Sequence, residues 1–117
     1  MNPSHRTRRN RIRQLTRALR RAISAMDYVA SGTLHSRTKV CGRANCRCAD
    51  DPSARHGPYH EWSRRTGGRL VHRVITAQQA EIIARAIANH RELQQLLTLW
   101  AEETASEVLD ADSEKDR

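Results

Sequence analysis

Three cysteines and a histidine fall within sixteen residues of this chain: Cys41, Cys46, Cys48 and His56, in the spacing C-G-x3-C-x-C-x7-H. Three thiolates and one imidazole make a closed tetrahedral donor set suited to structural zinc. Gly42 allows a tight turn after the first cysteine, and Asn45 can bend the chain before the second. His56 is the first choice of fourth ligand because Gly57-Pro58 sets a turn directly after it; His60, Asp50, His35 and His72 are its rivals. Arg37, Lys39, Arg43, Arg47 and Arg55 surround the cluster, where they would offset the net negative charge of such a centre and favour thiolates. The odd cysteine count argues against a disulfide framework, as does an N-terminus that runs into Arg6, Arg8, Arg9 and Arg11 without the apolar core of a secretion signal. Reduced, unliganded cysteines on a basic loop are the plain alternative, with redox or iron–sulfur roles behind it.

Other chemistry finds less support. His56, His60 and Glu61 lie within six residues and could serve a metal-dependent nuclease, but that reaction needs an open coordination position, which three thiolates and a histidine close. No Ser/His/Asp or Cys/His nucleophile pattern is present, and Gly67-Gly68 lacks the Lys and Ser/Thr of a phosphate loop. The expectation is a protein that is not an enzyme. Tyr59 and Trp62, read as sharing one strand face, either stack on bases or pack beside the metal site.

The elements that must hold these residues can be read from periodicity and charge. Only 20 of 117 residues are Leu, Ile or Val, and Phe is absent. A chain so poor in core formers needs a metal staple, long packed helices or a partner. Ile12, Leu15, Leu19, Ala22, Met26 and Val29 repeat at spacings of 3 and 4 and predict a helix over about Thr7–Ala30, with Gly32 as its left-handed cap. Tyr59–Ser63 and Arg69–Ile75, joined through Gly67-Gly68, predict a β-hairpin. Thr76 and Gln79 form a capping box ahead of a long helix from about Ala77 to Val108, whose seam of Ile83, Ala86, Leu93, Leu97 and Trp100 is broken only by His90 and widened by Ile82, Ile87, Leu96 and Leu99.

The fold class is therefore α+β and mainly α. Residues 1–31 are a basic amphipathic helix, 32–75 a zinc-binding hairpin module, 76–109 a long helix packed as a helical hairpin or coiled coil, and 110–117 a disordered acidic tail. A surplus apolar face on the long helix points to a second copy of the chain as partner. No stretch suits a membrane helix, so the expected setting is cytoplasmic.

Charge is sharply divided. Residues 1–73 carry 17 Lys or Arg against four acids, and residues 74–117 carry four against nine. A basic body with an acidic end suits nucleic acid, DNA ahead of RNA. The expected contacts are Arg8, Arg9, Arg13, Arg17, Arg20 and Arg21 on the first helix, with Arg43, Arg47, Arg64, Arg65 and Arg69 as a second patch. A protein-interaction adaptor, assembling a larger complex through the helical seams without touching nucleic acid, is the alternative.

Gly32-Thr33-Leu34, Cys41-Gly42, Cys46-Arg47-Cys48-Ala49, His56-Gly57-Pro58-Tyr59, Trp62-Ser63-Arg64 and Gly68, followed by a long helix, resemble a family of small prokaryotic proteins of unknown function. The resemblance spans about Gly32 to Trp100. Where members of that family often place a second aromatic after H-G-P-Y, this chain has His60. The resemblance implies association with mobile genetic elements and their recombinases, and no defined activity.

Overall fold

The computed structural model describes residues 4–115. They form α1 (His5–Ala25), β1 (Thr33–Lys39), β2 (His56–Thr66), β3 (Arg69–Ile75) and α2 (Ala77–Lys115), an α+β fold dominated by helix. Two compact units result. One comprises residues 28–88; the other combines the chain up to Asp27 with the chain from Asn89 onward.

In the helical unit, Ser4 starts α1 by accepting the Thr7 backbone N–H at 3.2 Å, satisfying one of the donors every helix start leaves open. The helix ends at Ala25, five residues earlier than its periodicity suggests. Asp27, Tyr28 and Val29 are weak helix formers. Ile12, Leu15, Leu19, Ala22 and Met26 are half-buried as the seam requires, whereas Val29, beyond the helix, is exposed.

The facing stripe on α2 is half-buried at His90, Leu93, Leu96, Trp100, Glu103, Glu107 and Asp110. Leu96, expected only to widen the stripe, takes the seam position expected of Leu97, which is exposed; a straight helix of 3.6 residues per turn places Leu96 nearer the centre of that stripe. His5 Nδ1 lies 3.1 Å from Glu107, Arg11 lies 3.5 Å from Glu103, and Arg8 pairs with Asp110. Position rises on α1 as it falls on α2 between the first two pairs, so the helices run antiparallel. Arg8 is the only fully buried side chain described in this unit.

The expected disordered tail is instead a continuation of α2 to Lys115. Asp110 is tied back to α1 by Arg8, and Ala111, Glu114 and Lys115 are good helix formers. Asp116 and Arg117 lie outside the described residues.

The second unit is an antiparallel meander in the order β1-β2-β3. Gly67 and Gly68 turn the β2–β3 hairpin with Thr66 opposite Arg69; their φ values of +58° and +80° suit the two-residue turn that matches strand twist. β1 is an addition that periodicity does not announce, since its seven residues contain one strong core former, Leu34. Gly32 lies just before β1 rather than at a helix end, and a Cβ there would collide with the Ser63 carbonyl oxygen.

Register puts Leu34, Trp62 and Ile75 on one sheet face. All three are half-buried, while Leu70 and Val74 on the opposite face are exposed. The first turns of α2 supply the fully buried Ala80, Ala86 and Ile87. Trp62 donates its indole N–H to the Ser31 carbonyl at 2.9 Å, and the Ala30 N–H reaches the Ala86 carbonyl at 3.1 Å. The capping box forms as expected, with Gln79 N–H on Thr76 Oγ1 at 3.1 Å and Thr76 N–H on Gln79 Oε1 at 3.0 Å.

The two α1–α2 ion pairs made by arginine should differ in weight. Asp110→Ala strands Arg8, whose side chain is 6% exposed, without a counter-charge, whereas Arg11 at 50% can turn to water. Urea denaturation should show a loss of about 2 kcal/mol or more for Asp110→Ala and less than about 1 kcal/mol for Glu103→Ala.

Candidate metal centre

The centre forms where β1 hands over to β2. β1 ends at Lys39, which pairs with His56 at the start of β2, and the loop between them carries Cys41, Cys46 and Cys48. Two short 3₁₀ turns shape that loop, Arg47–Ala49 and Pro52–Ala54. Asp51 caps the second by accepting the Ser53 N–H at 3.0 Å and its hydroxyl at 2.7 Å. Those two bonds, hydroxyl first, with help from Arg47, hold the Asp51 carboxyl below its ordinary pKa. His56 belongs to the strand, so pairing with Lys39 rather than a turn at Gly57-Pro58 holds its backbone.

The ligand atoms of Cys41, Cys46, Cys48 and His56 all lie within 4.8 Å of one another. Cys46 Sγ is 3.3 Å from His56 Nε2, and Cys48 Sγ is 3.5 Å from Cys41 Sγ. Tetrahedral coordination with metal–sulfur bonds of about 2.3 Å would separate ligand atoms by about 3.8 Å, so the donors need only small shifts to close on an ion. It is Nε2 of His56 that points inward.

Burial grades across the four. Cys48 is 1% exposed, Cys46 is intermediate, and Cys41 and His56 are exposed. The Cys41 N–H donates to Cys48 Sγ at 3.3 Å, the kind of bond that steadies a thiolate. The thiols differ in acidity: Cys46 is held below the ordinary value, first by the backbone N–H of Cys48 and then by the Cys48 and Cys41 thiols. Cys48 moves the other way. The Cys41 N–H pulls it down, but burial and the neighbouring thiols outweigh that bond. The open side is a cleft of about 570 Å³ bounded by Arg43, Asn45 and Tyr59 as well as ligands.

The rival ligands are engaged or lie elsewhere. His60 Nδ1 is 2.8 Å from the Ser36 hydroxyl, and His72 Nδ1 is 2.6 Å from the Ser63 hydroxyl. Asp50 and His35 are not among the converging groups. Nor do His56, His60 and Glu61 form one site: His60 and Glu61 are strand neighbours on opposite faces, and Glu61 accepts from Arg37 at 3.1 Å. Tyr59 and Trp62, three residues apart on a strand, also face opposite sides. Tyr59 carries Lys39 over its ring at 5.3 Å, and Trp62 carries Arg64 at 4.3 Å.

One grouping escaped the sequence reading. Ser63, His72 and Glu61 share a sheet face, with Glu61 Oε1 3.8 Å from the same His72 nitrogen that meets Ser63. A nucleophile relay needs serine and acid on opposite ring nitrogens, so this is a cross-strand polar cluster. Counting pairs outward from Gly67-Gly68 would have placed Ser63 opposite His72.

Of the expected nucleic-acid contacts, Arg9, Arg13, Arg17, Arg20 and Arg21 are exposed on α1. Arg8 is not available. It is 5% exposed and paired with Asp110, because it lies four residues before Ile12 and so continues the apolar seam. Arg43, Arg65 and Arg69 are exposed, Arg47 reaches Asp51 at 3.4 Å, and Arg64 is half-buried against Trp62.

The chain thus carries a basic helix, a meander with a Cys3His cluster, and a long helix. The chain belongs to the family described as Domain of unknown function (DUF6788), which it matches over residues 8–84. No curated protein and no solved structure matches it. Among the described residues no helix is long and apolar enough to cross a membrane.

Purified native protein should carry about one metal ion per chain by elemental analysis. Cys46→Ser or Cys48→Ser should abolish this, and His60→Ala should leave it intact. Full metal content after Cys48→Ser would remove this cluster as the site.

Proposed function

We propose that this is a small zinc-stabilised nucleic-acid-binding accessory protein, acting on DNA in the service of a mobile genetic element or its recombinase. Zinc is the metal that suits the donor set, since three thiolates and an imidazole at near-tetrahedral spacing disfavour magnesium and calcium and leave no position open for catalysis. Its role is then to hold the β1–β2 loop.

The observation that carries nucleic-acid binding is the stripe on α1. Arg9, Arg13, Arg17, Arg20 and Arg21 are exposed on the side away from the seam, and none has an acidic partner among the described residues. Arginines from position 9 to position 21 span about 18 Å at 1.5 Å per residue. An uncompensated row of that length matches a phosphate backbone better than it serves solubility. DNA is favoured over RNA because a straight helix enters the B-form major groove and is excluded from the narrow A-form one. The mobile-element setting rests on the resemblance of the cysteine and H-G-P-Y region.

With six to eight phosphates neutralised by the α1 stripe together with Arg43, Arg65 and Arg69, log affinity should fall against log salt with a slope of roughly −5 to −7. Fluorescence anisotropy on duplex DNA and duplex RNA, after pull-down from the native host, measures this directly. Arg17→Gln should make the slope shallower by about one, while Arg8→Gln should leave it unchanged and lower stability instead. A flat salt response, or no retention of nucleic acid at all, would overturn the proposal and favour the adaptor.

A further inference from the structure

The helical unit contains no fully buried apolar side chain among its described residues. On α2, the α1-facing stripe is not the only apolar one. Leu97, Ala101, Ala105 and Leu109 form a row at spacings of four on the roughly opposite side, flanked by Val108. Leu97, Val108 and Leu109 are 48%, 54% and 65% exposed. Together with Trp100 they border a shallow groove of about 620 Å³.

We propose that this groove is filled by the same row of a second copy, the two α2 helices crossing antiparallel about a two-fold axis between Ala101 and Ala105. The row Leu-x3-Ala-x3-Ala-x3-Leu reads the same in both directions. A two-fold interface must be self-complementary, each residue i meeting j as j meets i. Under that axis Leu97 meets Leu109 of the other copy and Ala101 meets Ala105, so large residues flank a centre where two alanines let the backbones approach closely. Rows at spacings of four are the ridges that interdigitate most often between helices.

The self-complementary row argues for a second copy over an unrelated partner. Residues 89–110 of α2 carry five acids and one arginine, and the row itself contains none of them. No acid of the row's segment is forced onto its own counterpart at the contact, because Glu103, at the midpoint, turns to Arg11.

Sedimentation velocity of the full, metal-loaded chain should give twice the 13.4 kDa chain mass, dissociating on dilution. Ala101→Glu combined with Ala105→Glu should give the single-chain mass with metal content retained. A geometric test does not depend on how that variant folds: Ala101→Cys chains mixed with Ala105→Cys chains and oxidised beside the parent protein should form disulfides between unlike chains in preference to like ones. A parent protein that is single-chain at every concentration overturns the inference, as does a dimer unaffected by the two glutamates. Preferential cross-linking of like chains overturns it too, since it reports a parallel arrangement. Because none of these readouts involves nucleic acid, their outcome is independent of the α1 arginine stripe.

Discussion

The pairing of Lys39 with His56 closes a loop of sixteen residues, and inside that closure four donor atoms come within 4.8 Å of one another. Closing a flexible loop of this length costs about 2–3 kcal/mol in chain entropy beyond a constant. A chain with so few aliphatic side chains has little to set against that cost. Of the fully buried residues in the sheet unit, Cys48 alone lies in the loop, so a ligand atom also occupies the place of a core residue. Ion binding by such sets is worth on the order of 10 kcal/mol, far more than the few apolar contacts the loop could make.

The rest of the chain is arranged around the same scarcity. The sheet half-buries Leu34, Trp62 and Ile75 on one face and leaves Leu70 and Val74 exposed on the other, where Ser63 alone is fully buried. α1 and α2 meet along half-buried residues and are joined by His5–Glu107, Arg8–Asp110 and Arg11–Glu103. Ion pairs of this kind contribute modestly when exposed, and their worth here lies in direction, since they fix which ends of the helices lie together.

Features that depend on neighbours in the chain were legible from sequence: the Gly67-Gly68 turn, the Thr76–Gln79 box, the 3-and-4 spacing of α1, and the set of cysteines. Features that depend on a distant partner were not. β1 has one core former in seven residues and becomes a strand only because β2 offers it an edge. Gly32 looked like a helix cap, whereas its freedom from a Cβ serves the close approach of the Ser63 carbonyl. His56 could be separated from His60 and His72 only by the sheet register that sends those two to Ser36 and Ser63. Arg8 was the legible exception: it stands in step with Ile12 and Leu15, and a count of the period alone marks it as facing inward.

That inward arginine works as an index mark. Aliphatic seams tolerate sliding, because a leucine moved by one turn finds another leucine. A buried guanidinium has no such indifference. Shifting α1 by one turn would carry Arg8 away from Asp110 and place Asn10-Arg11-Ile12 near the acidic end of α2, trading a satisfied charge for a stranded one. One buried charge pair, beside the more exposed pairs of His5 and Arg11, thus turns a family of near-equivalent alignments into one, as a notch does on a ruler.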